Sequence, residues 1–194
     1  MFIVLEGTDG SGKSTLCEYL SNKYSLSKHK SIGGVFNKVK NHFDIDKVSI
    51  NERFSFLCGE AINNSLIVSE YKRNKKSIIF DRYYFSTLVY CESMLPGVTQ
   101  DFNFLFSKLE QPEIVIFVNV GYENMIRRLE SRGNLTLIEN KFSNKDNYNN
   151  LVNNYLKYLP TNTIILDNNS SVEDMKYNAS KVIDNYIEQQ NDLG

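Results

Sequence analysis

The sequence predicts a three-layer α/β domain, a parallel sheet covered by helices, and three observations carry that prediction. Short apolar runs rich in Ile and Val recur at 2–5, 78–80, 114–118 and 164–166. Each is too short for a helix of ordinary length, and each is continuous instead of alternating, as suits strands buried on both faces. Longer segments with helical spacing separate them, which implies βαβ units. The prolines, Pro96, Pro112 and Pro160, all fall between these elements, where a residue without an amide proton does least harm.

The first strand, Phe2-Ile3-Val4-Leu5, leads to Gly7-Thr8-Asp9-Gly10-Ser11-Gly12-Lys13-Ser14, then Thr15 and a helical pattern from 16 to about 24. This run fits GxxxxGK[ST] in the strand, loop and helix setting that the pattern requires. Glycines let successive amide N–H groups turn inward to phosphate oxygens, and the following helix aims the positive end of its dipole at the same anion. Lys13 is placed to reach β and γ phosphates, and the Ser14 hydroxyl to complete a Mg²⁺ shell.

The next helix is read through Phe54, Leu57, Cys58, Ala61, Ile62 and Leu66. The strand at 78–80 then ends in Asp81-Arg82-Tyr83. That puts a carboxylate and a guanidinium at a strand's carboxyl end, where open α/β sheets bind ligands. Asp81 suits a metal there, and Arg82 suits a phosphate held by two parallel hydrogen bonds. After the 114–118 strand, Arg128 and Arg132 stand four apart on one helix face and could both point at a phosphate. Phosphoryl transfer needs preorganised cations of this kind. The polar, Asn-rich stretch 134–154 reads either as a linker or as a mobile lid, the lid spanning about 132–147. A strand at 164–166 and a helix from 172 to 186 close a single domain, 1–194.

Composition narrows the function. Lys plus Arg is 22 against Asp plus Glu 23, a net charge of -1 without a basic block, which disfavours a nucleic-acid partner. Cys17, Cys58 and Cys91 are odd in number and far apart, so they suggest neither a disulfide framework nor a zinc site, and fit a reducing cytoplasm. The apolar opening run is too short for a signal peptide or a membrane span. No Asn-Lys pair has an Asp two places on, so the base-recognition element of a switch GTPase is missing. His29 and His42 are isolated and suggest no metal pair.

The run FIVLEGTDGSGKST at 2–15, Asp81-Arg82-Tyr83 with Ser86 and Tyr90, and the spacing of Arg128, Arg132, Glu139, Phe142 and Tyr155 resemble the thymidylate kinase family over essentially the whole chain. The resemblance implies a P-loop nucleoside monophosphate kinase fold with a five-stranded parallel sheet flanked by helices. It further implies a cytoplasmic homodimer whose partners are small-molecule nucleotides, with no membrane role, moving the γ-phosphate of ATP to dTMP with Mg²⁺. By the same resemblance, Gly7, Thr8, Asp9, Gly10, Ser11, Gly12, Lys13, Ser14 and Thr15 hold ATP, and Ser14 and Asp81 manage the metal. Asp9 contacts the deoxyribose 3′ hydroxyl, Arg82 holds the acceptor phosphate with Ser86 and Tyr90 in the same substrate site, and Phe56 stacks on thymine. Gly10 stands where one branch of the family has Arg, and a branch with Gly there takes its catalytic Arg from the lid. That adds Arg128 and Arg132 to Lys13 and Arg82 as catalytic residues.

The chain departs from the family at several places. Glu60 stands where the family has a thymine-reading Arg, Cys91 where it often has Gln, and Asn119 where a strand ends in Asp. Ser31-Ile32-Gly33-Gly34 replaces an Arg-Glu-Pro-Gly-Gly loop, leaving Lys28 and Lys30 as the nearest cations. A carboxylate at a base-reading position rejects a carbonyl and favours an exocyclic amine, so a monophosphate with a different base stays open as acceptor. Two further readings stay open. One is a deoxynucleoside kinase using Asp81 or an acid near Glu6 as base, and the other is a nucleotide-binding regulatory protein without turnover.

Overall fold

The computed structural model describes residues 1–31, 33–45, 47–100 and 103–192, so Ile32 of the Ser31–Gly34 departure lies outside the described residues. The elements run β1 (Phe2–Glu6), α1 (Lys13–Lys23), β2 (Ser27–Lys30), α2 (Gly34–Phe43), α3 (Ile50–Arg73), β3 (Ile78–Asp81) and α4 (Tyr84–Met94). They continue with α5 (Asn103–Phe106), β4 (Ile114–Asn119), α6 (Tyr122–Arg132), α7 (Leu137–Phe142), α8 (Lys145–Tyr158), β5 (Ile164–Asp167) and α9 (Val172–Asp192). The strands form one parallel sheet in the order β2-β3-β1-β4-β5.

Register decides where the site lies. Leu5 of β1 pairs with Asp81 of β3 on one side and with Ile116 of β4 on the other. The carboxyl ends of these three strands therefore open onto the same edge. From β1 the chain passes to the edge strand β2, returns to β3 beside β1, and then crosses to β4 on the other side, so a crevice opens above the end of β1, the place where such sheets take ligands.

Alternation along β1 feeds two cores. Phe2 and Val4 join Phe80, Phe117 and residues of α3, α4 and α8, whereas Ile3 and Leu5 join Ile79, Ile116 and residues of α1 and α9. All four are fully buried, each contributing about 1.5–3 kcal/mol of burial free energy. The rigid sheet this creates is what fixes the loops at its carboxyl edge.

Two elements differ from the sequence reading. The strand Ser27–Lys30 is polar, because it lies at the sheet edge, pairs with β3, and exposes alternate residues. Its lysines also blunt an otherwise open edge. The stretch 134–154 is not a linker from Lys145 onward: Tyr148, Leu151 and Tyr155 recur at three- and four-residue spacing and are buried in α8. Asn144 caps that helix by accepting from the amides of Asp146 and Asn147. Ahead of it, α7 starts with a reciprocal capping box between Thr136 and Glu139. Among the described residues no helix is long and apolar enough to cross a membrane.

Candidate active site

The loop between β1 and α1 curls because its glycines take conformations that other residues resist, with Gly12 at φ 95°. A Cβ on Gly12 would also lie 2.6 Å from the Asn168 side-chain amide nitrogen. Inside the curl, Lys13 Nζ folds back to donate to the Thr8 carbonyl at 2.6 Å and to Ser11 Oγ at 3.2 Å. Burial, helped by the nearby Arg82 charge, pushes the Lys13 ammonium down to about 7. Thr8 is buried, and Thr15 is exposed in the first turn of α1.

Ser14 Oγ donates to Asp81 Oδ2 at 2.6 Å, joining the first turn of α1 to the end of β3. A hydroxyl and a carboxylate are hard oxygen donors of the kind Mg²⁺ takes. Among the described residues no three His, Cys, Asp or Glu gather as a metal cage.

One residue beyond Asp81, Arg82 sits at φ 72°, a conformation that costs a non-glycine residue about 1–2 kcal/mol. Its surroundings hold it there. The guanidinium donates to Asp9 Oδ1 at 2.7 Å, the Tyr155 hydroxyl at 2.9 Å, Ser86 Oγ at 3.0 Å and the Tyr90 hydroxyl at 3.3 Å. Tyr90 in turn donates to Asp9 Oδ2 at 2.9 Å, and Tyr155 to the Gly7 carbonyl at 3.1 Å. Burial raises the Asp9 carboxyl, but Arg82 and Lys13 outweigh it and hold the group at about 2. Beneath lies Glu6, fully buried, accepting from the amides of Tyr83 and Ser86 and from Ser86 Oγ. Its burial raises its pKa above the usual carboxylate range.

Arg82, Asp9, Ser86 and Tyr90 line a cleft of about 350 Å³ whose other walls include Lys30, Ser31, Lys40, Arg53, Leu57 and Glu139. Both carboxylates in the lining are ion-paired, Asp9 with Arg82 and Glu139 with Arg132. Among the described lining residues Lys30, Lys40, Arg53 and Arg82 outnumber these two carboxylates, a balance that favours an anionic ligand.

Not every residue singled out in the sequence faces this cleft. Phe56 is not in its lining; it is half-buried, with its ring edge-on to Phe36 at 5.4 Å. The faces of α3 explain this: Arg53 and Leu57, four apart, share the cleft side, and the next position back turns away by about 100°. Glu60 is buried behind the lining, accepting from Ser31 Oγ at 3.1 Å and from the Asn64 side-chain amide. Arg128 and Arg132 leave α6 on the same side but part company. Arg128 donates to the carbonyls of Gly10 at 3.2 Å and Asn168 at 2.8 Å, while Arg132 reaches Glu139 of α7. Sequence reasoning gave no role to Tyr155, and it passed over Asn168. Tyr155 lies 73 residues from Arg82 along the chain, and Asn168 reaches the loop through its side-chain amide while its main-chain carbonyl accepts from Arg128.

Three comparisons bear on this arrangement. The thymidylate kinase family model matches residues 5–178. A probable thymidylate kinase of Methanococcus aeolicus is 31% identical over 198 aligned residues, covering 96% of this chain and 97% of that protein. Among solved structures, thymidylate kinase from Candida albicans superposes with a TM-score of 0.76 at 19% identity, over 95% of this chain and 91% of that one. Deoxyadenosine kinase from M. mycoides, bound to dATP, gives 0.69 at 19% identity over 95% and 100%. At such identities the two structures speak to the fold alone.

Proposed function

The chain belongs to the thymidylate kinase family, and from that premise we propose that it moves the γ-phosphoryl group of ATP directly to dTMP, releasing ADP and dTDP. The observation that supports this most is the Arg82 clamp. A buried guanidinium, fixed by Asp9, Ser86, Tyr90 and Tyr155 beside the phosphate loop, is preorganised for an acceptor that already carries a phosphate.

A nucleoside acceptor would need a general base near neutrality. Asp9, held at about 2 by its cationic neighbours, is too acidic for that task, and Glu139 is paired with Arg132. Asp81 is bonded to Ser14, and Glu6 is sealed beneath the cleft. The monophosphate reading is therefore favoured over the deoxynucleoside kinase.

In this reading the loop amides and Lys13 hold the ATP phosphates, and Lys13 leaves the Thr8 carbonyl to do so. Ser14 and Asp81 would hold Mg²⁺, which would supply positive charge against the charge that develops on the phosphates. Arg132, half exposed at the start of the 132–147 lid, swings from Glu139 toward the transferring group when the lid closes. Phe56 and Glu60 meet the base only if α3 or the Ser31 segment shifts on closure. A cytoplasmic homodimer completes the assignment.

The test is product analysis with ATP and Mg²⁺ against a panel of nucleoside monophosphates and free nucleosides. Conversion of dTMP to dTDP ahead of every other acceptor supports the reading. Turnover confined to nucleosides, or ATP binding without any acceptor-dependent ADP, overturns it.

A further inference from the structure

We infer that Arg128 and Asn168 together brace the phosphate loop, making Arg128 a positioning residue for the ATP site and not a group on the transferring phosphoryl. The inference rests on the ATP-site half of the reading above and needs no acceptor.

Phosphate binding requires loop amides turned inward, so the matching carbonyls must point out, because a peptide unit is planar and rigid. Two consecutive outward carbonyls are captured here. Arg128 donates to the Gly10 carbonyl at 3.2 Å, and the Asn168 side-chain amide donates to the Ser11 carbonyl at 2.7 Å. Fixing the first carbonyl aims the Ser11 amide inward, where it donates to the Thr8 carbonyl that also receives Lys13. Fixing the second aims the Gly12 amide the same way.

The two braces are themselves joined. Arg128 also donates to the Asn168 main-chain carbonyl at 2.8 Å, and the Asn168 main-chain amide donates to Asn119 at the end of β4. The loop is thus tied through Asn168 to the sheet and through Arg128 to α6. Packing is close on both sides: a Cβ on Gly10 would lie 3.2 Å from the Met125 carbonyl of α6, and one on Gly12 would collide with the Asn168 amide. Asn168 is 1% exposed, and its Oδ1 has no partner among the described residues. A flipped amide would set that oxygen against the Ser11 carbonyl, so the brace fixes the orientation and leaves the acceptor unsatisfied. Both terminal nitrogens of the Arg128 guanidinium are thereby engaged by main-chain carbonyls of the loop and of its support.

The experiment measures the dissociation constant of MgADP by titration calorimetry, with kcat and both KM values, for Arg128→Ala, Arg128→Lys and Asn168→Ala. The Ala variants are expected to weaken MgADP and raise KM for ATP about 10-fold each, with kcat at saturating ATP within about 3-fold of the parent. Arg128→Lys should recover part of that loss, and the double Ala variant should lose less than the product of the singles, since both act on one loop. A kcat reduced about 100-fold with MgADP affinity unchanged would place Arg128 on the transferring group and overturn the inference. Unchanged affinity and unchanged kcat would overturn it equally. If Arg128→Ala does not fold, the Lys and Asn168 variants decide the matter. Weakened MgADP binding in a protein that fails to phosphorylate dTMP would uphold the brace while removing the acceptor assignment.

Discussion

Replacing Arg82 by Ala removes a guanidinium that donates to Asp9, Tyr155, Ser86 and Tyr90, and leaves Asp9 and Glu6 with Lys13 but without the stronger of their cations. Holding Asp9 at about 2 instead of 3.8 corresponds to about 2.5 kcal/mol, at roughly 1.4 kcal/mol per tenfold. The Asp9 side chain is 32% exposed, and screening by water trims that share to about 1–2 kcal/mol. Breaking a buried, hydrogen-bonded pair costs about 3–5 kcal/mol in all, so Arg82→Ala should lose about 3–4 kcal/mol at pH 7. The backbone gives an internal control. Arg82 sits at φ 72°, so Arg82→Gly should be about 1 kcal/mol more stable than Arg82→Ala. The pH dependence has a definite sign: the folded pKa of Asp9 lies below the unfolded one, so its contribution is complete above about 4 and fades as pH falls toward 2. Urea unfolding of the three proteins at pH 7 and pH 3 reads all of this, and kcat/KM for the acceptor should fall by about 10²–10³. A stability loss under 1 kcal/mol, a gap that stays constant between the two pH values, or a Gly variant weaker than the Ala variant would refute the reasoning.

Further outcomes follow from the same geometry. Because burial and Arg82 push Lys13 down to about 7, nucleotide phosphates should reprotonate it on binding. Calorimetry at pH 8 in buffers of different ionisation heat should show proton uptake, with affinity falling as pH rises; proton release would contradict this. Tyr155→Phe deletes the hydroxyl shared by Arg82, Ser86 and the Gly7 carbonyl, and should cost about 1–2 kcal/mol while raising the acceptor KM about 10-fold. An unchanged KM would remove Tyr155 from the clamp. Glu60→Gln should lower stability by about 1–2 kcal/mol but leave the dTMP KM within about 3-fold, since the carboxylate stands behind Ser31. A switch of base preference in that variant would instead put Glu60 in the base site.

What could be read from the sequence was local. The strand runs at 2–5, 78–80, 114–118 and 164–166 all appear as strands; the first three are buried on both faces and so wholly apolar, whereas 164–166 lies at the other sheet edge and keeps its apolar run although Ile165 is exposed. Ser27–Lys30 left no such trace, since an edge strand needs no apolar run. The phosphate loop was legible because its geometry demands glycines at fixed spacing. The helix α8 was hidden by its asparagines, although Tyr148, Leu151 and Tyr155 carry a buried face. The clamp and the brace were harder. Arg82 stands in a readable motif, but the hydroxyl of Tyr155 that fixes it comes from a distant helix. The sequence offers Arg128 as a phosphate ligand, since arginine on a helix face beside a polar stretch is ambiguous; the partners the structure gives it are main-chain carbonyls, which leave no mark in a sequence.

The central claim is that Arg82 receives an acceptor that already bears a phosphate. The most direct measurement is kcat/KM for dTMP relative to thymidine, with ATP and Mg²⁺ saturating, in the parent chain and in Arg82→Ala. The account predicts a preference for dTMP of more than about 10³ in the parent, most of which disappears in the variant. Comparable turnover of thymidine by the parent, or a dTMP preference that survives the loss of Arg82, would contradict it.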